Sequence, residues 1–295
     1  VIIPAVKIVF ALAAGLLAAL PAIGAEPAAP DPVLVGAGDI AGCEDDGAMK
    51  TAALLDTIPG TVFTLGDNAY PNGTAREFKQ CYDPTWGRHK ARTHPAPGNH
   101  DYRTEGASAY FDYFGAAAGD RTKGYYSYDL GPDWHVVVIN SNCGQIGGCK
   151  TGSRQETWLR EDLAAHKAPC TVAMWHHPVF SSGEHGNDPS MHDIFQTLYE
   201  AGADLVLSGH DHIYERFAKQ DPNQRADPER GIREIIVGVG GKSFYAFPKI
   251  QPNSEVRDDK NYGVLKLTLH PQGYDWEFVG VPGSTFSDKG SDKCH

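Results

Sequence analysis

The chain has 295 residues, 37 acidic against 26 basic, a formal charge of −11 at neutral pH and 41% hydrophobic residues. An acidic balance without Lys/Arg runs excludes a surface built for the nucleic-acid backbone, which needs clustered cations. The length suits one large α/β domain with a full core.

VIIPAVKIVFALAAGLLAALPAIGA carries one cation, Lys7, ahead of an apolar run from Ile8 to Leu20 and then small residues. That is the layout of a secretory signal cut near Ala25, and its apolar core is shorter than the ~20 residues a spanning helix needs. Val stands first, so the true start is open. On this reading residues 1–25 are a cleaved signal peptide, 26–32 a flexible linker drawn from AEPAAPDP, and 33–295 a single folded domain. The protein is then secreted, extracellular or periplasmic, with no membrane association after cleavage.

VLVGAGDI (33–40) reads as a buried strand delivering Asp39 to a loop. GAMKTAALLDTI (47–58) has helical spacing, and TVFTLGD (61–67) is again a strand ending in Gly-Asp, which predicts a parallel sheet with helical crossovers. THPAPGNHD (93–101) repeats the device with Gly-Asn-His-Asp, and AYFDYFG (109–115) fits a helix packed on the core. YYSYDL (125–130) and WHVVVINS (134–141) are strands joined by Gly131-Pro132-Asp133. SRQETWLREDLAAHK (153–167) opens with the capping box Ser153/Glu156 and is a helix. CTVAMWHHP (170–178) is a strand ending in two histidines, PSMHDIFQTLYEAG (189–202) a helix closed by Gly202, and DLVLSGHDH (204–212) a strand ending in Gly-His-Asp-His. REIIVGVGG, NYGVLKLTLH and YDWEFVG alternate as strands and predict a second sheet against the first. SSGEHGNDPS (181–190) is too Gly-rich for a regular element and reads as a lid or a plain loop.

Six cysteines in an exported chain point to disulfides. Cys143 and Cys149 flank a Gly-rich loop and can close it; Cys43 with Cys81 and Cys170 with Cys294 would complete the set, although sequence leaves these two open. None has zinc-site C-x-x-C spacing.

Five strand-like runs thus end in Asp, Asn or His. In open α/β sheets ligands gather beyond the carboxyl ends of strands, so these groups are expected to converge on one sheet edge. Asp39, Asp67, Asn99, His176, His210 and His212 form an oxygen-and-imidazole set without thiolate, suited to zinc, manganese or iron. They are too many for one catalytic ion with an open position, and they suit two ions sharing a bridging carboxylate.

The ordered motifs GD(39), GDNxY(67–70), GNHD(98–101), a strand-end His176 and GHDHxYER(209–216) resemble the calcineurin-like metallophosphoesterases, and within them the purple acid phosphatase branch. The resemblance implies the αββα fold, an α/β (α+β) sandwich of two packed mixed β-sheets flanked by helices, with 33–295 as the catalytic domain. It implies Asp39, Asp67, Tyr70 and His212 as ligands of a ferric ion, with Asp67 bridging to zinc, manganese or Fe(II) held by Asn99, His176 and His210. Tyr70 fits that assignment, because a phenolate is a hard anion that stabilises Fe(III). The wider superfamily has histidine two residues after the first aspartate; here Ala41 stands there, and the gained tyrosine accompanies the lost histidine. Ala41 replaces the branch's usual Gly, and Ala173-Met174-Trp175-His176 replaces V-x-x-H. By motif position His176 is the ligand, and strand alternation is expected to turn the neighbouring His177 to the opposite face.

The implied reaction is hydrolysis of a phosphate monoester by metal-bound hydroxide attacking phosphorus in line. His100 is the expected acid for the leaving group, with Asp101 orienting it and raising its pKa, and His185 corresponds to a second substrate-facing histidine. The alternatives are a phosphodiesterase or a broad-range nucleotide or phytate phosphoesterase, and a non-catalytic metal- or phosphate-binding protein. Singly, Asp39 and Asp67 could be helix N-caps. Arg216 could bind phosphate or form an internal ion pair.

Overall fold

Each apolar run condenses into a strand because its residues can be buried on both faces. The computed structural model describes residues 1–5, 7–11 and 30–295. Most of the expected signal and linker therefore lies outside the described residues. The chain divides into two units, Val1–Pro30 and Asp31–His295. In the first, the described residues carry no helix or strand. Among the described residues no helix is long and apolar enough to cross a membrane.

The second unit has thirteen strands: β1 (Val33–Ala37), β2 (Thr61–Leu65), β3 (Thr93–Ala96), β4 (Tyr126–Leu130), β5 (Trp134–Val138), β6 (Cys170–Met174), β7 (Leu205–Ser208), β8 (Tyr214–Phe217), β9 (Arg233–Val237), β10 (Ser254–Asp258), β11 (Gly263–His270), β12 (Gly273–Gly280) and β13 (Lys289–Lys293). They form two mixed sheets flanked by helices, in the orders β13-β12-β11-β1-β2-β3 and β10-β8-β9-β7-β6-β5-β4. The strands β1, β2 and β3 run parallel, as do β5, β6, β7 and β9.

Two expectations are corrected here. The C-terminal strands do not make a second sheet of their own, because β11 pairs antiparallel with β1 and so completes the N-terminal sheet. The second sheet comes mainly from the middle of the chain. The strand ends bearing polar groups consequently belong to both sheets: β1, β2 and β3 of one, β6 and β7 of the other.

Strand alternation builds two apolar layers. Val136, Val138, Val172, Met174, Leu205 and Leu207 join the main core with Leu34, Val35, Phe63 and Leu65. The alternate residues Val137, Ala173, Trp175 and Val206 join Leu159, Ile194, Phe195 and Leu198 from the helices Arg154–Ala165 and His192–Ala201. Burying each large side chain here stabilises the fold by about 1.5–3 kcal/mol. The helix Ser108–Phe114 buries Ala109, Tyr110, Phe111 and Phe114, so three of its aromatics are core and Tyr113 is half-buried.

Ser153 does cap the helix Arg154–Ala165, accepting the Glu156 N–H. The reciprocal arm of the expected capping box is missing, because the Glu156 carboxylate is taken by the Gly152 N–H at 2.8 Å, by Thr197 and by Arg160. Disulfides join Cys43 to Cys81, Cys143 to Cys149 and Cys170 to Cys294. The last ties the end of the chain to the start of β6.

Candidate metal centre

Asp39 and Asp67 follow β1 and β2, and each takes a positive φ, 60° and 50°, as does His210 at 69°. L-residues adopt that conformation at a cost, and held strain of this kind clusters at functional sites. It lets each carboxylate turn back over the strand ends. Glycines give the space: a Cβ on Gly98 would stand 2.1 Å from Asp67 Oδ1, and Gly66, itself at φ +82°, leaves room for the His176 ring.

Four atoms meet in a first cluster. Tyr70 Oη lies 2.8 Å from Asp39 Oδ1, 3.0 Å from Asp67 Oδ2 and 3.1 Å from His212 Nε2, and His212 Nε2 is 3.4 Å from Asp39 Oδ1. His212 Nδ1 faces the Ser243 carbonyl at 2.6 Å and must donate to it, which leaves Nε2 with a lone pair. Three acceptors therefore share the one phenol proton. Burial and then Asp39 and Asp67 push the Tyr70 pKa well above its ordinary value.

A second cluster adjoins it. His176 Nδ1 faces the Leu65 carbonyl at 2.7 Å, and its Nε2 lies 2.9 Å from Asn99 Oδ1, 3.2 Å from His210 Nδ1 and 3.4 Å from Asp67 Oδ1. Burial opposes a charge on His176, but Asp67 overcomes it and raises the pKa to about 9. Burial likewise opposes ionisation of Asp67, and His176 with His100 holds it well below the carboxylate range. In both clusters buried lone pairs outnumber the protons between them. The donor set thus fits two cations, with Asp67 offering one oxygen to each, and the two histidines carry the backbone-carbonyl partners usual for metal-ligating imidazoles.

Of the residues expected to assist, His100 lies beside this centre. Its Nε2 is 3.7 Å from Asp67 Oδ2 and its ring centroid 4.5 Å from that of Tyr70. Asp101 does not orient it. The buried Asp101 carboxylate accepts from the Gly98 N–H at 2.9 Å and the Asn68 side chain at 2.9 Å, fastening the GNHD turn to the GDN turn. Burial and then Asp67 raise its pKa to about 7. His100 Nδ1 instead faces the Pro71 carbonyl at 2.6 Å, which Arg103 also reaches at 3.0 Å.

His185 is 43% exposed, with its ring centroid 4.1 Å from that of His210. Its segment is tied down by three carboxylates. Glu234 accepts from the N–H groups of Val179 and Phe180 at 3.0 and 3.2 Å, and Glu215 from Ser182 N–H at 2.8 Å. Asp211 accepts from His185 itself and from Ser181 Oγ. So many buried anchors make it a fixed loop rather than a lid.

His177 departs from its expected place. β6 ends at Met174, so alternation no longer governs the chain at 176 and 177. The His177 ring lies 4.4 Å from His210 and 4.8 Å from His176, on the same side. Burial, with the neighbouring His176, drives its pKa down to about 3. Tyr245, which no sequence pattern singled out, stacks on His212 with centroids 4.0 Å apart. His135, Asp162 and His166 also bring ligand-type atoms together. The two rings stack in parallel at 4.4 Å, however, so their nitrogen lone pairs lie in separate planes and do not converge.

The sequence model of the calcineurin-like phosphoesterase family matches residues 16–214. Purple acid phosphatase 15 of Arabidopsis thaliana is 28% identical over 225 residues, 64% of this chain and 41% of that protein. Purple acid phosphatase 21 of the same plant is 33% identical over 161 residues, 51% of this chain and 35% of that protein. The chain therefore spans less than half the length of these relatives. In three dimensions it resembles the purple acid phosphatase PPD1 from yellow lupin seeds, with TM-score 0.75 at 19% identity, over 89% of this chain and 53% of that one. The chain belongs to the calcineurin-like phosphoesterase family, and the relatives it resembles are purple acid phosphatases.

Proposed function

We propose that this chain is a two-metal phosphoesterase acting on phosphate monoesters. The observation that carries this reading is the division of Asp67, with Oδ2 beside Tyr70 and Oδ1 beside His176. A carboxylate shared in this way supports a paired-cation site. Asp39, Asp67, Tyr70 and His212 would hold one ion, a ferric one on the strength of Tyr70, and Asp67, Asn99, His176 and His210 the other, zinc, manganese or ferrous iron. Bound there, the ions supply Lewis acidity, neutralising the phosphoryl group and making water a competent nucleophile near neutral pH.

The remaining chemistry belongs to the chain. His100 donates Nδ1–H to the Pro71 carbonyl, which leaves Nε2, the nitrogen that Arg103 also reaches, as the one that would carry a proton to an oxygen at the centre. A leaving alkoxide there would take that proton. Arg103 lies 3.4 Å from the same nitrogen and adds positive charge for an anionic ester. His185 stands beside His210, its pKa raised first by the hydrogen bond to Asp211. A cationic rim of this kind supports a dianionic monoester over a monoanionic diester. Asp101 serves as a brace. The three disulfides support an oxidising compartment, consistent with export.

The test compares hydrolysis of nitrophenyl phosphate and bis-nitrophenyl phosphate by metal-loaded protein, alongside Asp67→Ala. The expected result is faster turnover of the monoester, and loss of both metals and of activity in the variant. Protein carrying two metal equivalents that cleaves neither ester refutes the reading; preference for the diester refutes the monoester assignment.

A further inference from the structure

His177 stands outside the set that the strand-end motifs single out, yet its contacts assign it a role. Its backbone N–H donates to Ser141 Oγ at 3.0 Å, and its ring Nδ1 lies 2.7 Å from the same oxygen. Ser141 is 3% exposed, and among the described residues its hydroxyl has no other partner. A hydroxyl that accepts the amide proton has one proton of its own to give, and Nδ1 is the acceptor within reach. Nδ1 therefore accepts. No carboxylate pairs with this ring among the described residues, and with Nδ1 taken up by Ser141 the ring presents its N–H at Nε2.

That tautomer separates two roles. A ring nitrogen of His177 lies within 4.8 Å of ring nitrogens of both His176 and His210, which by itself suits a metal ligand. A nitrogen bearing a proton cannot bind a cation, but it can donate to an oxygen that a cation holds. We propose that His177 contacts the substrate: Ser141 fixes its ring so that Nε2–H donates a hydrogen bond to a phosphoryl oxygen of the bound monoester. A fixed donor of this kind needs no reorganisation as charge builds on that oxygen. The strand-end His176 and its sequence neighbour thus divide the work, one toward the cation and one toward the ester. Ser141 is a positioning residue, supplied by the segment that follows β5.

This inference rests on the phosphoesterase reading, and one experiment separates their fates. Metal-loaded wild type, His177→Phe, His177→Gln and Ser141→Ala are titrated calorimetrically with inorganic phosphate, with metal content measured on the same samples. All four are expected to keep two metal equivalents. His177→Phe should bind phosphate about 10- to 100-fold more weakly, the range for one lost hydrogen bond to a charged group. His177→Gln, whose amide can accept from Ser141 and still present an N–H, should recover affinity to within about threefold of wild type, and Ser141→Ala should weaken it about three- to tenfold. Loss of one metal equivalent in His177→Phe overturns the inference in favour of a ligand. Unchanged phosphate affinity in His177→Phe, or in Ser141→Ala should the first variant not fold, overturns it as well. If wild-type protein holding its metals binds no phosphate, the phosphoesterase reading falls and this inference with it.

Discussion

One oxygen of Asp211, Oδ1, receives both the backbone N–H of His185 at 3.0 Å and its ring Nδ1 at 3.1 Å. The other, Oδ2, takes Ser181 Oγ–H at 2.5 Å. The residue between two candidate ligands, His210 and His212, thereby sets the position of a third histidine, His185, outside the proposed ligand set. Asp211→Ala should keep both metals while lowering kcat/KM about 10- to 100-fold, the scale of a misplaced acid or donor. His185→Ala should do the same, and the double variant should be little worse than either single one, because the two act as a unit. Multiplying effects in the steady-state rates would show that Asp211 and His185 work separately.

Tyr70 links protonation to metal binding. Without a cation its phenol keeps its proton, held there by burial and by Asp39 and Asp67. Binding an ion at this position must release that proton, so affinity should rise with pH, with about one proton released from the phenol per ion. With ferric iron the loaded protein should be coloured, and Tyr70→Phe should lose the visible band while retaining zinc. A colourless wild type holding two equivalents of zinc or manganese would remove the ferric assignment and leave the rest of the site standing.

The strand-end groups were legible because an apolar run that stops at Gly-Asp or Gly-His is both a burial signal and a change of chemistry. Asp39, Asp67, Asn99, His176, His210 and His212 come together for that reason, in two adjoining clusters about Tyr70 and His176. His177 was misread because alternation was carried past Met174, where β6 ends. Tyr245 follows β9 in an irregular segment with no period to read, and only the folded chain lays it on His212. The pairing of β11 with β1 joins residues more than two hundred positions apart, as in Val33 with Thr268, and local patterns do not encode it. The Asp101 role failed on direction: its side chain turns into the protein, toward Gly98 and Asn68.

Arg216 closes the GHDHxYER motif without reaching the centre. Its Nε donates to Asp288 Oδ2 at 2.7 Å, Nη1 pairs with Glu255, and the guanidinium lies 4.9 Å from the Trp276 ring. Asp288 also accepts from Tyr214 Oη at 2.8 Å, so the pair fastens β8 to the segment before β13. Arg216→Met should leave Asp288 buried without its cation and lower the unfolding free energy by about 3–5 kcal/mol. KM for the ester and the inhibition by phosphate should stay at wild-type values in the folded fraction. A selective rise in KM would return Arg216 to the phosphate-binding role.

His135, far along the second sheet from the strand ends that bear the ligands, gives the stability a pH dependence of its own. Its Nδ1 lies 2.7 Å from Asp129 Oδ1 and its Nε2 2.8 Å from Asp162 Oδ2, while His166 stacks on its face. Burial opposes the imidazolium, but the hydrogen bonds to Asp162 and Asp129 prevail and raise the pKa. A native pKa above the unfolded value means that folding favours the protonated ring. The stabilisation is then complete below about pH 6.5, the unfolded value, and is lost as pH climbs through the raised native one. Replacing the ring in His135→Gln should cost about 1–3 kcal/mol at low pH, the range for charge-assisted hydrogen bonds, and less at high pH. Urea unfolding of both proteins at about pH 6 and about pH 9 reads the difference directly. Equal losses at the two pH values would mean that the ring is held by packing and not by its charge.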